Sequence, residues 1–285
     1  MQLELPPVII DDAVLIFGGA YGNLQATQAV LQEGARRGIS AANIICTGDL
    51  VAYCGKPRET ITLVRDTGIH VVMGNCDEQL GDGAADCACG YTPGSTCDFL
   101  SAQWFAYANS QLTVDDRSYL RSLPKRLDVI IGGFRFAVIH GGVSVINAYV
   151  FSSTPVEVLS GELALAGVDG VIGGHSGLPF ARVAGGKLWL NAGVVGLPAN
   201  DGTPRVWYSV LTAAADGVEV QLCALKYDFA AAQADMAAAG LPSAYREALA
   251  SGIWPSNDVL PEFERTLQGT ALKPERIVIK SLQDA

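Results

Sequence analysis

The sequence predicts an α/β fold in which parallel strands alternate with helices. The chain has 285 residues, of which 49% are hydrophobic and 17% are charged, enough apolar material for one large core. Between residues 13 and 77, short apolar runs typical of buried strands alternate with segments whose apolar residues recur at helical spacing. This strand–helix–strand–helix–strand order predicts parallel strands whose carboxyl ends meet at one edge of a sheet, where α/β proteins bind ligands.

Two helices and three strands are predicted in this first part. The first helix follows Asn23, a residue suited to an N-cap, and ends at Gly38. The second helix has Pro57 near its first turn and Gly68 at its end. The three strands are AVLIFGG (13–19), NIICTGDL (43–50) and IHVVMGNCD (69–77).

The composition of the chain changes after the third strand. Residues 79–97 are rich in glycine and cysteine and predict a loop insert. Helical patterns follow at about 98–110 and 114–123, and residues 126–225 predict strands joined by hairpins. In those hairpins we expect the aromatic side chains to be core residues, namely those of Trp189, Trp207 and Tyr208.

No internal repeat or low-complexity linker divides the chain. We therefore expect a single domain over 1–285, with a core at 13–225. The segment 226–285, which begins with alanine-rich runs, predicts a C-terminal helical extension.

The charge balance argues against nucleic acid as a partner. The chain has 19 Lys and Arg against 29 Asp and Glu, a formal net charge of −10. Binding to duplex nucleic acid needs basic side chains that neutralise phosphates. We expect no nucleic acid duplex as a partner, while a small phosphoester stays compatible with a local metal site. A homo-oligomer is left open.

No targeting or membrane segment is expected. The first apolar run has no basic segment before it and is interrupted by Asp11 and Asp12. No stretch of about 18 apolar residues runs without a charge or a glycine cluster, so we expect no membrane association. The seven cysteines are an odd number and do not resemble a secreted disulfide framework. These features predict a reducing, cytoplasmic location.

Polar residues suited to metal and phosphate follow the predicted strands. Glycines accompany them, and glycine lets the backbone come close to a bound ion. Two of the three histidines are in this set. Because they end successive strands, we expect them to converge at one sheet edge. The segments are Tyr21-Gly22-Asn23, Gly48-Asp49, Gly74-Asn75-Cys76-Asp77, His140-Gly141 and Gly174-His175.

The sequence blocks around these residues resemble those of the calcineurin-like metallophosphoesterase family, in particular its compact bacterial phosphodiesterase branch. The blocks are TGDLVAY, VVMGNCDE, VIHGG, IGGHSGLPF and LNAGVVGLP, within residues 13–225. The tail LKYDFAAAQADMAAAGLP is similar to the C-terminal helix of that branch. The resemblance implies a four-layer α/β/β/α sandwich and a hydrolase, either a phosphatase or a phosphodiesterase. It also implies two divalent metals bridged by an aspartate and a hydroxide that attacks phosphorus.

One of the two metal sites is complete in this sequence. The resemblance assigns its ligands to Asp49, Asn75, His140 and His175, with Asp49 as the bridging aspartate. One carboxylate, one amide and two imidazoles suit Mn, Fe or Zn. We therefore expect one divalent transition metal at these four residues.

The other metal site has lost its ligands. The positions that the resemblance assigns to it are Gly19, Tyr21 and Gly177, and a glycine offers no side-chain ligand. The position of the histidine that assists the leaving group is Cys76, followed by a retained acidic residue, Asp77. We infer a site with one ion, which lacks the second half of a two-metal clamp.

The expected catalytic residues are Asp49, Cys76, Asp77 and Tyr21. Either Cys76 or Tyr21 is a candidate proton donor, although both have ordinary pKa values well above neutrality. The backbone N–H groups of Gly22 and Asn23, at a predicted helix N-terminus, are expected to bind the phosphate. Tyr53 and Tyr149 are candidates for the walls of the pocket.

The cysteines near these blocks leave three interpretations open. Up to five thiols converge if the loop folds over the site, and four of them suffice for an additional Zn or Fe–S site. The second interpretation is a lid whose cysteines are free or form one labile disulfide. The third is direct participation at the catalytic centre. The four cysteines considered for the additional metal are Cys54, Cys87, Cys89 and Cys97.

Three functions are compatible with these features. The first is a phosphoesterase that hydrolyses a phosphomonoester or a small phosphodiester with the single retained metal. The second is a catalytically inactive descendant of the fold that binds or regulates, because fold alone does not determine function. The third is an enzyme with a rebuilt second metal site in which Tyr21 and cysteines replace the lost ligands.

Overall fold

The computed structural model describes residues 6–215 and 217–280. Over these residues the strands form two six-stranded sheets, flanked by helices. The strands are β1 (Val8–Ile10), β2 (Ala13–Phe17), β3 (Ile44–Cys46), β4 (His70–Val71), β5 (Leu127–Ile131), β6 (Phe134–Val138), β7 (Gly170–Gly173), β8 (Phe180–Ala184), β9 (Lys187–Asn191), β10 (Val206–Ala214), β11 (Gly217–Leu225) and β12 (Glu275–Lys280). The helices are α1 (Leu24–Arg36), α2 (Pro57–Thr67), α3 (Asn75–Asp82), α4 (Thr96–Gln111), α5 (Val114–Ser122), α6 (Val156–Ala166), α7 (Phe229–Ala238), α8 (Ser243–Ser251) and α9 (Glu262–Thr266).

The first sheet has the order β12-β11-β10-β2-β3-β4. Its strands β2, β3 and β4 are parallel, as the alternation of strands and helices predicts, and β10, β11 and β12 add an antiparallel half. The second sheet has the order β1-β5-β6-β7-β9-β8 and is mixed.

The two sheets pack face to face. Side chains alternate along β2, so that Val14 and Ile16 enter the core between the sheets while Leu15 and Phe17 face the helices. Phe136 of the second sheet joins the same central core. Helices α1–α5, α7 and α8 bury side chains against the outer face of the first sheet.

A single helix covers the second sheet. Leu159 and Leu163 of α6 pack with Val171 and Trp189 on its outer face. The result is the four-layer α/β/β/α sandwich that the sequence resemblance implies. Trp189, Trp207 and Tyr208 are buried core aromatics, as predicted.

The predicted caps of the first two helices are confirmed. The Asn23 side chain accepts a hydrogen bond from the backbone N–H of Ala26 at the start of α1. Pro57 opens α2, and Gly68 ends it with a left-handed backbone conformation, φ 73°.

Three sequence predictions of the fold are wrong in detail. The third strand does not run to Asp77, because the chain turns at Gly74 and α3 begins at Asn75. Helix α6 lies in a region predicted to contain only strands and hairpins. The C-terminal extension is not wholly helical, because β12 pairs antiparallel with β11.

The core also reaches beyond its predicted bounds of 13–225. β1 pairs in parallel with β5, and β12 completes the edge of the first sheet. The predicted insert 79–97 is shorter, because its two ends belong to α3 and α4 and the loop itself covers 83–95. Among the described helices, none combines the length and the apolarity needed to cross a bilayer.

Candidate metal centre

Four polar side chains meet where the two sheets adjoin. Asp49 follows β3 and Asn75 follows β4 in the first sheet, whereas His140 follows β6 and His175 follows β7 in the second. All four are buried, with at most 9% of any residue exposed. The four residues that the sequence singles out as metal ligands are therefore brought together by strand ends of both sheets.

The Nε2 atom of His140 lies at the centre of this group. It is 3.0 Å from Asn75 Oδ1, 3.0 Å from His175 Nδ1 and 3.3 Å from Asp49 Oδ2. Ligand atoms of Asp49, His140 and His175 all lie within 4.8 Å of one another. Among the residues that the structure describes, no other three His, Cys, Asp or Glu side chains meet this criterion.

The hydrogen bonds around these side chains orient lone pairs toward one point. With Nδ1 of His140 donating to the Thr47 carbonyl at 2.7 Å, the neutral ring keeps a lone pair on Nε2. The Asn75 amide donates from Nδ2 to the Cys87 carbonyl at 2.8 Å, which turns its Oδ1 inward.

These donors fit a divalent cation. Two imidazoles, a carboxylate oxygen and an amide oxygen surround the same small space, and acceptors that face one another are stabilised by a shared cation. Nε2 of His175 is buried and has no hydrogen-bond partner among the described residues. Within the described residues, the imidazole of His175 is therefore hydrogen-bonded only at Nδ1, to His140.

The titratable groups of the centre are electrostatically coupled. Burial lowers the pKa of His140, but the adjacent Asp49 carboxylate outweighs burial and the net pKa is raised. Burial raises the pKa of Asp49, but His140 outweighs it and the net pKa is lowered. Burial and the neighbouring His140 lower the pKa of His175 to about 3, so that its ring is neutral.

Asp77 holds the loop that carries Asp49. Its carboxylate accepts hydrogen bonds from the backbone N–H groups of Asp49 at 2.7 Å, Leu50 at 2.9 Å and Gly74 at 2.9 Å. Asp49 has a positive φ of 56°, which a non-glycine residue adopts at a cost. Burial and the nearby Asp49 raise the pKa of Asp77 to about 7, against the opposing effects of the Gly74 and Leu50 N–H donors and of His140.

The contacts of Asp77 are those of a residue that supports a metal ligand. Its two oxygens are occupied by backbone donors, and the residue is fully buried. Asp77 acts on the centre through Asp49, whose position it fixes. The Asp49 carboxylate in turn accepts from the backbone N–H of Cys76 at 2.9 Å, which leaves its other oxygen for the centre.

Tyr21 fills the space beside the centre. A Cβ built on Gly19 would overlap the outer atoms of the Tyr21 ring, and a Cβ on Gly196 would overlap the base of the same side chain. Tyr21 itself has a positive φ of 54° and is 5% exposed. The ring therefore stands where a ligand-bearing side chain at position 19 would project.

Gly177, the third position that the resemblance assigns to a second ion, faces an aromatic ring without overlap. A Cβ on Gly177 would lie 3.4 Å from the Trp254 ring, and Gly177 has a φ of 76°.

Burial, followed by the Asp49 charge, raises the pKa of Tyr21 well above its ordinary value. Tyr21 is thus a neutral phenol, which can donate a proton and is a weak ligand for an ion.

Cys76 is an unreactive thiol in this environment. It is 1% exposed, and burial followed by the charges of Asp49 and Asp77 raises its pKa well above the ordinary value. Its Sγ lies 3.9 Å from Cys89 Sγ and 3.6 Å from Asn75 Nδ2. The thiol is close to the centre, but it is protonated and cannot replace the charge of a histidine.

The expectation that Gly22 and Asn23 bind phosphate through their N–H groups is wrong. The N–H of Gly22 donates to the Leu50 carbonyl at 2.8 Å, and the N–H of Asn23 donates to the Ala20 carbonyl at 2.9 Å. The Asn23 side chain caps α1 and also donates to the Gly196 carbonyl at 3.1 Å. These groups fasten α1 to the neighbouring loops.

The cysteines considered for an additional metal do not come together as a group of three ligands among the described residues. Cys87 and Cys89 are joined by a disulfide, and the remaining cysteines are free. Cys54 is buried, with its thiol directed to the Gly196 carbonyl. In the described part of the chain, the three-ligand group found at the centre contains no cysteine. The interpretation of one disulfide among free thiols agrees with the structure.

An aromatic cleft opens beside the centre. Tyr53 and Tyr149 line it, as expected, together with Asp49 and His175. Three further aromatic residues line the cleft and could not be predicted from the sequence. They lie on a loop and in the tail, and no motif connects those segments with the centre. They are Tyr91, Tyr245 and Trp254.

The chain is similar to proteins of one phosphoesterase family. The family model of the calcineurin-like phosphoesterase superfamily domain matches residues 15–216, which include all four residues of the centre. An uncharacterized protein of Methanocaldococcus jannaschii is 26% identical over 212 residues, which are 69% of this chain and 79% of that protein.

Two crystal structures share the fold. A metallophosphoesterase from Sphaerobacter thermophilus is 25% identical, with a TM-score of 0.67 over 85% of this chain and 99% of that chain. A hypothetical protein from Pyrococcus horikoshii is 17% identical, with a TM-score of 0.72 over 86% of this chain and 100% of that chain. The latter likeness concerns the fold alone.

Proposed function

The chain belongs to the calcineurin-like phosphoesterase superfamily, and from this premise we propose that it is a hydrolase of phosphoesters that works with one divalent ion. The ion is Mn, Fe or Zn, held by Asp49, Asn75, His140 and His175. The observation that carries the proposal is the convergence of these side chains on His140 Nε2, at distances of 3.0 to 3.3 Å.

The overlap at Gly19 supports a single ion rather than a pair. The ring of Tyr21 takes the space into which a ligand at position 19 would project. Gly177 offers no side chain, and Tyr21 is held as a neutral phenol. A centre with one ion lacks the two-metal clamp that stabilises both the attacking and the leaving oxygen. We therefore expect hydrolysis to be confined to substrates with good leaving groups.

The residues of the chain have distinct roles in this proposal. When bound, the ion polarises a phosphoryl oxygen and acidifies water. Asp77 fixes the Asp49 loop through three backbone N–H groups, and the Thr47 carbonyl fixes the His140 tautomer that offers Nε2. Tyr21 lines the cleft beside Asp49 and is the candidate donor to the leaving group on grounds of position, although its raised pKa makes it a weak acid at neutral pH.

Hydrolysis of bis(4-nitrophenyl) phosphate tests this function. We expect the protein loaded with Mn²⁺ to release nitrophenolate, and His140→Ala to abolish that activity because the central nitrogen is lost. His70→Ala is the matched control, since His70 lies in β4 outside the centre. Activity that survives in purified His140→Ala would contradict the proposal.

A second candidate is a protein of this fold that binds a metal and hydrolyses nothing. The observation in its favour is Cys76, which stands at the position of the leaving-group histidine and is buried as a neutral thiol. Stoichiometric binding of Mn²⁺ without hydrolysis of any nitrophenyl phosphoester would support this candidate over the first.

We propose that the protein works in a reducing cytoplasm and that its partner is a small phosphoester. Five free cysteines in the described structure support the compartment, and the disulfide Cys87–Cys89, which joins residues two positions apart, is the observation against it. The net charge of −10 supports a small substrate over duplex nucleic acid.

A further inference from the structure

The amide of the metal ligand Asn75 lies against a small loop that a disulfide closes. The loop consists of Cys87, Ala88 and Cys89, with the disulfide between its two cysteines (the disulfide loop). Asn75 Nδ2 donates to the Cys87 carbonyl at 2.8 Å and lies 3.5 Å from Cys89 Sγ. The amide nitrogen thus contacts both cysteines of the disulfide, while the amide oxygen faces His140 Nε2 at 3.0 Å.

Three successive carbonyl groups of the disulfide loop accept hydrogen bonds from side chains. The first is the Cys87 carbonyl, which accepts from Asn75. The Ala88 carbonyl accepts from Asn147 Nδ2 at 2.8 Å, and the Cys89 carbonyl accepts from the Tyr149 hydroxyl at 3.0 Å. The loop is therefore held at each of its carbonyl groups.

Two metal ligands are connected through this loop. Asn75 donates to its first carbonyl, and Tyr149, which donates to its last, has its ring 4.4 Å from the ring of His175. Cys87 and Cys89 are 4% and 3% exposed, so these contacts lie in the interior, where an unmade hydrogen bond is costly. A displacement of the loop therefore changes the surroundings of both ligands.

The backbone of the disulfide loop has a strained conformation. Ala88 has a φ of 48°, in the left-handed region that a residue with a Cβ adopts at a cost. Such a conformation persists only where the surroundings impose it, and here the disulfide and the three side-chain hydrogen bonds do so. Two thiols cannot share the space of a bonded pair of sulfur atoms. Breaking the bond therefore removes a constraint and moves the loop.

We propose that the disulfide loop positions Asn75 for metal binding, and that reduction of the Cys87–Cys89 bond lowers the affinity of the centre for its ion. The inference rests on the proposed function, since it concerns the same ion, and deepens it by naming a regulation of that centre. A reducible bond in direct contact with the amide of a metal ligand carries it.

The reductant in this proposal is a small dithiol. Its thiolate attacks one sulfur of the disulfide, the other sulfur leaves and takes up a proton, and the second thiol of the reductant then resolves the mixed disulfide. Two electrons and two protons pass from the dithiol, which becomes a cyclic disulfide, to the protein, which gains two thiols. Cys89 lines the cleft, and the flanking residues Asp86 and Gly90 are exposed, so solvent reaches the loop.

Calorimetric titration with Mn²⁺ tests the inference on binding of the ion. Protein purified in air is compared with protein that has been reduced with dithiothreitol and desalted under argon. We expect the oxidised protein to bind Mn²⁺ about 10–100-fold more tightly, the range typical of a group that orients a ligand. Equal affinities would overturn the proposal. So would alkylation of both Cys87 and Cys89 in the denatured, unreduced protein, because the bond would then not form in the purified chain.

The reduction potential of the disulfide gives a reciprocal measurement on the wild-type protein. If the ion prefers the oxidised form, it must stabilise the disulfide by the same factor. Saturating Mn²⁺ should therefore lower the potential by about 30 mV for each tenfold ratio of affinities. Equilibration with defined ratios of reduced and oxidised dithiothreitol measures this shift.

His140→Ala is the control for the shift in potential. The variant lacks the central nitrogen of the centre but retains the disulfide loop, so Mn²⁺ should leave its potential unchanged. An equal shift in the wild type and in His140→Ala would contradict coupling through the centre.

Two double variants separate the disulfide from the other thiols. Cys87→Ser with Cys89→Ser cannot form the bond, so its Mn²⁺ affinity should equal that of the reduced protein, with or without dithiothreitol. The matched control is Cys54→Ser with Cys223→Ser, which replaces two free cysteines and should keep the full response to dithiothreitol. A response in the first pair, or its loss in the second, would contradict the assignment.

Failure of this inference is distinguishable from failure of the proposed function. Hydrolysis of bis(4-nitrophenyl) phosphate together with an Mn²⁺ affinity that does not depend on the disulfide rejects the inference alone. An affinity that depends on the disulfide, without hydrolysis, rejects the phosphoesterase alone. Absence of Mn²⁺ binding to the oxidised protein rejects both.

Discussion

The ring of Tyr21 occupies the space into which a side chain on Gly19 would project. The two residues are two positions apart in the loop after β2, and a Cβ on Gly19 would overlap the outer ring atoms of Tyr21. The family resemblance implies two ligands of one ion at these positions. The chain instead has a glycine and an aromatic ring, and the ring can take its position only because the glycine has no side chain. Gly19 and Tyr21 thus form one packing unit.

Restoring an acid at position 19 should therefore be destabilising unless Tyr21 is also replaced. Gly19→Asp is expected to reduce the free energy of unfolding by about 1–3 kcal/mol through overlap with the ring, in addition to strain at its φ of 36°. Adding Tyr21→His removes the outer part of the ring, and the pair should show a favourable coupling of about 0.5–3 kcal/mol. Urea unfolding of the two single variants and the double variant measures it.

Gly38→Asp controls for backbone strain in this cycle. Gly38 has a φ of 72°, and a Cβ there meets nothing within 4 Å, so its substitution introduces strain without overlap. Its effect should not change when Tyr21→His is added. Additive effects of Gly19→Asp and Tyr21→His would show that the ring and the missing side chain do not compete for one space.

Asp77→Asn should weaken metal binding without removing a ligand. The amide presents one acceptor oxygen to three backbone N–H groups, so the loop that carries Asp49 loses hydrogen bonds worth about 1–3 kcal/mol. We expect Mn²⁺ affinity to fall about 10–100-fold, as for other groups that hold a ligand in place. Calorimetric titration with Mn²⁺ measures the change.

The neighbouring Glu78→Gln is the control for this change. Glu78 lies on the same helix with 25% of its side chain exposed, and it pairs with Lys125 at 2.5 Å, away from the Asp49 loop. Its Mn²⁺ affinity should match that of the wild type. An Asp77→Asn protein with unaltered affinity would show that the hydrogen bonds to the loop are not needed to place Asp49.

The sequence predicts most of the fold where the signal is local. Asn23, Pro57 and Gly68 mark helix ends because capping depends on residues within one turn. Helix α6 was missed because its sequence, VEVLSGELALA, has an apolar content that a buried strand shares. Strand β12 was missed because its partner is β11, about 60 positions earlier, and no local pattern encodes such a pairing.

The candidate site could likewise be predicted only in part. The convergence of Asp49 with Asn75 could be predicted, because these residues follow adjacent parallel strands of one sheet. His140 and His175 follow strands of the other sheet, so their meeting with the first pair was implied by the family resemblance and not by a shared sheet edge. The hydrogen bond of the Gly22 N–H could not be predicted, because its acceptor is the Leu50 carbonyl in another loop. The clamp formed by Asp77 likewise depends on backbone donors that become neighbours only in the folded chain.

Cys76 should resist alkylation in the native protein. Its thiol is buried, and its raised pKa keeps the reactive thiolate scarce at neutral pH. Cys223 is partly exposed and should react first with iodoacetamide, which peptide mass spectrometry reads out at each cysteine. Labelling of Cys76 as fast as Cys223 at pH 7 would contradict the environment described for it and would revive its role as a reactive group.

The number of ions per chain tests the central claim most directly. Elemental analysis of wild-type protein, purified without added metal and then equilibrated with Mn²⁺ and desalted, should give one ion per chain. His140→Ala should give none, and His70→Ala should equal the wild type. Two ions per wild-type chain would contradict the single centre beside Tyr21, and no ion in the wild type would contradict the centre itself.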